Sequence, residues 1–251
     1  MLKLELMPKA TQKNFASLKE DPRLAGFTLV GGTALALQIG HRMSEDLDFN
    51  IFDQVLPSKD IDAVLNDLAA SGVKIESLIT QAQISQFKIN TSENLDKYIQ
   101  DYLIDGAKVT FHSRNERDRP KHQIDFLKST PKLSVSKKGF NILAVDGLFV
   151  MKSIVLYDRI KSRDIYDLMV LTRDHGYSLE NILEAINTYQ PFRDKDPEHF
   201  KSAVTGIIPL DKNDEGFSNI HLNVKTEDVY KYFIKLINEY EVNLVKTLKK
   251  N

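Results

Sequence analysis

The chain has 251 residues, 42% of them apolar, and its 34 basic and 35 acidic residues leave a formal net charge of −1. This length and apolar content predict a globular protein with one large domain or two modest ones. The balanced charge excludes a whole-molecule field that attracts nucleic acid, although it permits a local basic face. Because the chain has no cysteine, disulfides, thiolate metal sites and thiol nucleophiles are excluded, and carboxylates, histidine and lysine must carry any chemistry.

The longest apolar runs, such as GLFVM, fall far short of the roughly 20 residues that a membrane span needs. The start, MLKLELMPKA, lacks the apolar core of a signal peptide. We therefore expect a cytoplasmic protein without a membrane partner.

The first 52 residues predict a helix followed by a strand, a turn, a second helix and a second strand. Residues 8–20 show helical spacing behind a proline. The run FTLV predicts a buried strand that ends in the turn Gly31-Gly32, and TALALQIGH predicts a helix with Thr33 as its N-cap and Gly40 near its end. The next run, DLDFNIF, alternates polar and apolar residues as a strand does.

The following segment continues the mixture of helices and strands. SKDIDAVLNDLAASG predicts a helix capped by Ser58, and VKIESLI predicts a strand. In KYIQDYLIDGAKVTFHS, two alternating runs flank Asp105-Gly106, which is a strong hairpin signal. RNERDRPKH predicts a charged loop, and QIDFL predicts one more short strand.

After STPKLSVSKKG the pattern becomes helical, with helices predicted at 143–160, 163–173, 178–189 and 225–248. We therefore expect an α+β protein in two parts. Residues 1–135 would form a core domain with a mixed sheet, and residues 136–251 would form a mainly helical C-terminal domain.

The run VGGTALALQIGHRMSEDLDFNIF carries the clearest chemical signal. On a strand, Asp46 and Asp48 point to the same face, about 6.5 to 7 Å apart, and two carboxylates this close favour a compensating cation. Oxygen ligands select Mg²⁺ or Mn²⁺. Gly31 and Gly32 allow a phosphate to approach the backbone amides at a helix N-terminus.

This order of strand, glycine turn, helix and acidic strand suits nucleotidyl transfer from a nucleoside triphosphate, which needs positioning and charge neutralisation above all. Taken alone, each element has a simpler interpretation. A single Asp-x-Asp is usually a solvated pair, and a single Gly-Gly is usually only a turn.

The run GGTALALQIGHRMSEDLDF closely resembles the signature of the AbiEii-type nucleotidyltransferases, a branch of the DNA polymerase beta-like nucleotidyltransferase superfamily. DGAKVTFHS and GLFVMKSIVLYDRIKSRDIYDLMVL are similar to further motifs of that family, so the resemblance spans about residues 8 to 175. It implies a polymerase beta-like nucleotidyltransferase domain and the toxin of a bacterial type IV toxin–antitoxin or phage-defence pair, with a cognate antitoxin. Characterised relatives transfer nucleotides from a triphosphate to the 3′ end of tRNA.

The resemblance implies roles for the residues of the first motif. Asp46 and Asp48 would be the metal ligands, and the phosphate turn would consist of Gly31, Gly32 and Thr33. Arg42 would neutralise the triphosphate, with a structural ion pair to Glu45 or Asp46 as the alternative. Ser44 would contact a phosphate or the metal shell, with a surface or capping serine as the alternative.

The second motif predicts a basic stripe if its helix is uninterrupted. Lys152, Arg159 and Arg163 then fall within about 40° of one another, with Asp167 beside them. An ordinary solvated face is the alternative. If Ser162 instead caps a second helix, the angular argument fails for Arg163 and Asp167.

The resemblance implies that Lys152 meets the triphosphate or acts near the attacking hydroxyl. Arg159 and Arg163 would bind the triphosphate, and Asp167 or Asp164 would orient Lys152 and the arginines.

One part of the family pattern is incomplete. Relatives generally use a third carboxylate on a later strand, where KVTFHS offers Thr110. Asp125 in QIDFL has apolar flanks and is the candidate, against a buried structural aspartate. Two other functions stay open: transfer to a protein or to a small molecule such as an antibiotic, and a catalytically silent nucleotide-binding module.

Overall fold

The computed structural model describes residues 2–52, 55–113, 121–189, 196–220 and 222–249. The chain divides into two compact units, Met1–Leu148 and Phe149–Asn251. The first contains a sheet with flanking helices, and the second is helical over its described residues. This confirms the α+β class. Most of the predicted charged loop, residues 114–120, lies outside the described residues.

The first unit contains a seven-stranded mixed sheet. Its strands are β1 (Thr28–Val30), β2 (Leu47–Ile51), β3 (Ile75–Ser77), β4 (Ile99–Ile104), β5 (Ala107–Ser113), β6 (Lys132–Ser134) and β7 (Asn141–Leu143). They lie in the order β3-β4-β5-β2-β1-β7-β6. The pairs β1/β7 and β2/β5 are parallel, and the other neighbours are antiparallel.

Ten α-helices occur in the described part of the chain. They are α1 (Lys9–Leu18), α2 (Gly31–Ile39), α3 (Ser58–Ala70), α4 (Gln81–Thr91), α5 (Lys121–Ser129), α6 (Val145–Val155), α7 (Ser162–Asp174), α8 (Leu179–Tyr189), α9 (Pro197–Val204) and α10 (Thr226–Leu248). None of these helices has the length and apolar content to cross a membrane.

An aromatic cluster fixes which face of the central strands is buried in the core. Phe49 of β2 stacks on Phe111 of β5, with ring centroids 5.4 Å apart, and its edge contact with Phe140 is 4.7 Å. All three rings are fully buried. Because side chains alternate along a strand, Asp48 and Asn50 on either side of Phe49 point to the opposite face of the sheet.

The predicted hairpin is confirmed. Asp105 and Gly106 have φ of +46° and +86°, which is the left-handed backbone that a two-residue hairpin turn requires. The register then runs outward from the turn, pairing Ile104 with Ala107 and continuing to Ile99 with His112.

Four local predictions are wrong. Helix α3 begins at Ser58 with Pro57 as its N-cap, so Ser58 is not the cap. Helix α2 begins at Gly31 with Val30 as its N-cap, so Thr33 is not the cap. QIDFL is part of helix α5 rather than a strand, because Ile124 and Leu127 are buried at helical spacing. The helix predicted at 143–160 ends at Val155.

Several elements were not predicted from the sequence, namely α4, α9, β6 and β7. Strand β7 lies beyond residue 135, where the sequence analysis placed the end of the first domain, and it pairs in parallel with β1. The sheet of the first unit therefore includes residues up to Leu143.

Candidate functional site

The first turn of α2 lies directly against β2. Gly31 is the first residue of the helix and has φ of +75°. A Cβ added at Gly31 would stand 2.5 Å from Asp48 Oδ2, closer than any real Cβ contact. The positive φ favours glycine, and the missing Cβ lets the Asp48 carboxylate lie directly against the helix turn. The first amides of a helix have no intrahelical partner, so this turn brings N–H donors close to an acid.

Gly32 makes room for the guanidinium group of Arg42. A Cβ on Gly32 would meet Arg42 Nη2 at 2.4 Å and Ser44 Oγ at 3.2 Å. The Arg42 side chain is buried, at 6% exposure, and its Nη1 donates to the main-chain carbonyl of Met43 at 3.0 Å. The guanidinium therefore lies against the glycine turn.

Thr33 joins the glycine turn to the acidic strand. Its hydroxyl lies 2.8 Å from Ser44 Oγ and also donates to the main-chain carbonyl of Asp46. Both hydroxyl side chains are buried. Helix α2 and the start of β2 are thus held together by side-chain hydrogen bonds. Six residues of the first motif lie in contact here, and Asp46 joins them through its main-chain carbonyl.

Asp46 immediately precedes β2 and is exposed, whereas Asp48 is half-buried on the strand. The donors around them are carboxylate and hydroxyl oxygens, which suit a hard divalent cation. Gly31 lets the Asp48 carboxylate approach the turn, since a Cβ there would collide with Asp48 Oδ2. In the described part of the chain, no three His, Asp or Glu side chains form a group that could hold a metal.

Asp125 lies elsewhere, exposed on helix α5. It was the candidate third carboxylate because QIDFL was expected to be a strand beside the acid pair. Since this segment is helical, the geometric reason for assigning Asp125 to the site disappears.

Asp101 is an acid of this region that the sequence analysis missed. In the sheet, Asp48 pairs with Thr110, and Thr110 pairs with Asp101. The hairpin signal contained this information, because counting outward from Asp105-Gly106 puts Asp101 opposite Thr110. The sheet therefore carries a second carboxylate two strands from Asp48.

A second cluster lies within the helical unit. Lys152 Nζ is 2.5 Å from Asp164 Oδ1 and 2.7 Å from Asp167 Oδ2. The three side chains are 7%, 3% and 0% exposed. Lys152 is therefore a buried cation held between two carboxylates, and the alternative of a solvated basic face does not apply to it.

The interruption after Val155 creates this cluster. Helix α6 ends at Val155 and α7 begins at Ser162. Arg159 lies between the two helices, and Arg163 and Asp167 lie on the second, so the angular argument for a single helix is wrong for all three. Ser162 is the first residue of α7, not its N-cap. Its amide and hydroxyl both donate to Asp214 Oδ1, at 2.9 and 3.1 Å, so Asp214 caps the helix from outside.

The two arginines of the second motif differ in their surroundings. Arg159 Nε donates to Asp164 Oδ2 at 3.0 Å, and its side chain is 56% exposed. Arg163 Nε donates to the carbonyl of Gly216 at 3.1 Å. Arg163 Nη2 lies 3.0 Å from Glu215 Oε2 without hydrogen-bond geometry. Arg159 thus shares Asp164 with Lys152, whereas Arg163 is engaged by a different segment.

The surrounding charges decide the ionisation of Asp164. Burial alone would raise the pKa of this carboxyl, but the charges of Lys152 and Arg159 outweigh burial and lower the pKa below its usual value. The cluster therefore contains ionised groups of both signs in a dry environment.

Asn50 continues the polar face of β2 beyond Asp48. Its side chain is fully buried, and neither Oδ1 nor Nδ2 has a hydrogen-bond partner in the structure as described. A buried amide without partners costs stability, so Asn50 is expected to lower the stability of the fold.

These features and the comparisons with known proteins define the class: the protein is a nucleotidyltransferase. The family model described as "Nucleotidyl transferase AbiEii toxin, Type IV TA system" matches residues 15–231. The chain therefore belongs to the AbiEii family of nucleotidyltransferase toxins, which confirms the resemblance seen in the sequence.

Individual relatives are more distant. An uncharacterized protein of Aquifex aeolicus is 27% identical over 218 residues, covering 86% of this chain and 89% of the relative. A putative nucleotidyltransferase from Helicobacter pylori has a TM-score of 0.49 at 16% identity, covering 94% and 96% of the two chains. MenT4, a nucleotidyltransferase toxin from Mycobacterium tuberculosis H37Rv, also has a TM-score of 0.49, at 13% identity and coverages of 91% and 86%.

We expect Gly31→Ala to weaken nucleotide binding at least about tenfold, or about 1.4 kcal/mol, because its Cβ collides with Asp48. Gly72→Ala is the matched control: Gly72 also has positive φ, but a Cβ there meets nothing within 4 Å. Both variants carry backbone strain of about 1–2 kcal/mol. Calorimetric titration with nucleotide measures the difference, and equal affinities in the two variants would contradict the assigned turn.

Lys152→Met should lower the free energy of unfolding by about 3–5 kcal/mol, because it leaves two buried carboxylates without their cation. Lys201→Met is the control, since Lys201 also contacts two acids, Glu198 and Glu241, whose side chains are 68% and 50% exposed. That control should cost about 1 kcal/mol or less. Urea denaturation near pH 7 measures both changes.

The wild type and the Lys152→Met variant also give a test of pH dependence. A lowered folded-state pKa means that ionised Asp164 stabilises the native fold above the unfolded value of about 3.9. This contribution is lost as pH falls through the folded pKa. Without Lys152, burial favours protonated carboxyls, so the deficit of Lys152→Met should shrink between about pH 7 and pH 4. A deficit that is constant over this range would show that the cluster is not ionised.

Asn50→Val should raise the free energy of unfolding by about 1 kcal/mol, because it removes two unsatisfied buried polar atoms. Asn14→Val is the control and should lower it by a similar amount, since Asn14 Nδ2 is buried and donates to the carbonyl of Ile104 at 2.7 Å. Thermal and urea denaturation check the signs, and a destabilised Asn50→Val would mean that the amide has a partner.

Proposed function

We propose that this protein transfers a nucleoside monophosphate from a nucleoside triphosphate to the 3′ end of tRNA. It would act as the toxin of its toxin–antitoxin pair, with a cognate antitoxin as its partner. The observation that carries the catalytic part is the contact of Gly31 with Asp48. The glycine lets the first turn of α2, with its amide donors for a phosphate, approach the Asp48 carboxylate, which would hold a cation.

The charges of the first unit suit a triphosphate with its cation. Asp46 and Asp48 would hold Mg²⁺ or Mn²⁺, and the oxygen donors around them match that choice. The bound cation would supply charge neutralisation at the phosphates and polarise the bond that breaks. The amides of Gly31 and Gly32 would hold phosphate oxygens. Arg42, buried against the turn, would place a fixed positive charge there.

The second unit contains a lysine held between two carboxylates. Asp164 and Asp167 hold the Lys152 ammonium in one position, as expected of a lysine that must be charged and oriented. We propose that Lys152 acts on the triphosphate or near the attacking hydroxyl, with Asp167 and Asp164 as positioning residues. Arg159, which is largely exposed, is proposed to contact phosphate, as is Arg163.

The tRNA acceptor is supported by the family resemblance. In the proposed transfer, the terminal 3′-hydroxyl of tRNA attacks the α-phosphorus of the nucleoside triphosphate. A new P–O bond forms, and pyrophosphate leaves with the electrons of the bond that breaks. The hydroxyl proton passes to a base or to solvent. An acceptor hydroxyl on a protein or an antibiotic would undergo the same substitution, so the acceptor must be identified by experiment.

The test incubates the purified protein with each of the four α-labelled triphosphates and Mg²⁺, in the presence of tRNA, periodate-oxidised tRNA, RNA-free protein lysate or aminoglycosides. We expect label on intact tRNA alone, because periodate destroys the 3′-terminal diol. Asp46→Asn and Asp48→Asn should reduce labelling at least about 100-fold, whereas Asp62→Asn, an exposed aspartate on α3, should not. Label on protein or drug, or on oxidised tRNA, would overturn the proposed acceptor.

A further inference from the structure

A polar row crosses three neighbouring strands beside the acid pair. Asp48 of β2 is paired with Thr110 of β5, and Thr110 is paired with Asp101 of β4. Directly paired residues place their side chains on the same face of a sheet. The order along the row is therefore acid, hydroxyl, acid, on the face opposite the Phe49 and Phe111 rings.

Distances between strands decide which member can share a ligand with Asp48. Adjacent strands lie about 4.8 Å apart, so Thr110 is within reach of an ion held by Asp48. Asp101 is two strands away, at about twice that spacing, and is too far to share the same ion directly. Any effect of Asp101 at Asp48 must therefore pass through Thr110.

The hydrogen bond between Thr110 and Asp101 determines whether the Thr110 hydroxyl donates or accepts toward other groups. Thr110 Oγ1 donates its proton to Asp101 Oδ1. A hydroxyl has one proton and two lone pairs. With its proton given to Asp101, Thr110 can offer only lone pairs to other neighbours, as a carboxylate does.

The surroundings keep this arrangement in place. Thr110 is 7% exposed, so water competes little for the bond. The other carboxylate oxygen of Asp101, Oδ2, lies 3.6 Å from Lys108 Nζ. Each oxygen of Asp101 therefore has its own partner, and the carboxylate is held with Oδ1 toward Thr110.

We propose that Thr110 Oγ1, polarised by Asp101, serves as a neutral oxygen ligand for the divalent cation held by Asp46 and Asp48. Asp101 is a positioning residue that acts through Thr110. This inference rests on the proposed function of the acid pair. It replaces the third carboxylate that the sequence was expected to supply at Asp125 with a hydroxyl–carboxylate pair on adjacent strands.

The experiment measures Mn²⁺ binding to the nucleotide-free protein by electron paramagnetic resonance. Thr110→Val should raise the Kd for Mn²⁺ at least about tenfold, and Asp101→Ala should raise it by a similar factor. Thr110→Ser keeps the hydroxyl and should stay within about threefold of wild type. Circular dichroism verifies that each variant is folded.

A double variant tests whether Asp101 acts through Thr110. In the Thr110→Val background, Asp101→Ala should add no further loss of Mn²⁺ affinity, whereas independent effects would multiply. A merely structural Asp101–Thr110 bond would lower stability in these variants and leave the Kd unchanged, which would overturn the inference.

Failure of this inference differs from failure of the proposed function. If Asp48→Asn abolishes Mn²⁺ binding while Thr110→Val and Asp101→Ala do not weaken it, the acid pair holds the cation without Thr110, and the inference is wrong. If Asp46→Asn and Asp48→Asn both leave Mn²⁺ affinity unchanged, the metal site of the proposed function is itself wrong.

Discussion

The packing of Phe49 against Phe111 is the interaction on which the site depends. These rings determine which residues of β2 and β5 face the core. A shift of one residue along either strand would turn a phenylalanine out of the core and would bury an acid or a hydroxyl in its place. The cost of burying an unpaired carboxylate far exceeds that of repacking an apolar side chain. The core thereby determines that Asp48, Thr110 and Asp101 share one face. The chemistry of the sheet is a consequence of how its apolar side packs.

The helical unit contains a cluster of buried charged side chains. Lys152, Asp164 and Asp167 are nearly inaccessible to water, and burying charged groups is unfavourable unless each has partners. Here the ammonium contacts two carboxylates, and Arg159 supplies a further cation at Asp164. A cluster of apolar side chains of the same size would be expected to stabilise the unit equally well or better. The role proposed for Lys152 in the reaction gives a reason for keeping ionised groups at such a cost.

Sequence reasoning succeeded where the signal was local and failed where it depended on neighbours distant in the chain. The hairpin at Asp105-Gly106 was predictable because only a few residue types adopt its backbone. The run QIDFL was wrongly predicted to be a strand, because a segment of four or five residues with apolar flanks fits either a strand or one face of a helix. Helix α5 was decided by the burial of Ile124 and Leu127 on a single side. The break between Val155 and Ser162 carries no proline or glycine, so Ser162 indicated a second helix but nothing in the sequence indicated that the first would end as early as Val155.

The sequence by itself determined the order of strand, glycine turn, helix and acidic strand, since strand alternation and the missing side chain of glycine are properties of the residues themselves. It also contained the pairing of Asp101 with Thr110, through the length of the hairpin turn. Only the tertiary structure decided that β5 lies beside β2, that Gly31 touches Asp48, and that two acids enclose Lys152. Those contacts join segments far apart in the chain, and their positions depend on how apolar faces pack rather than on any local preference of the backbone.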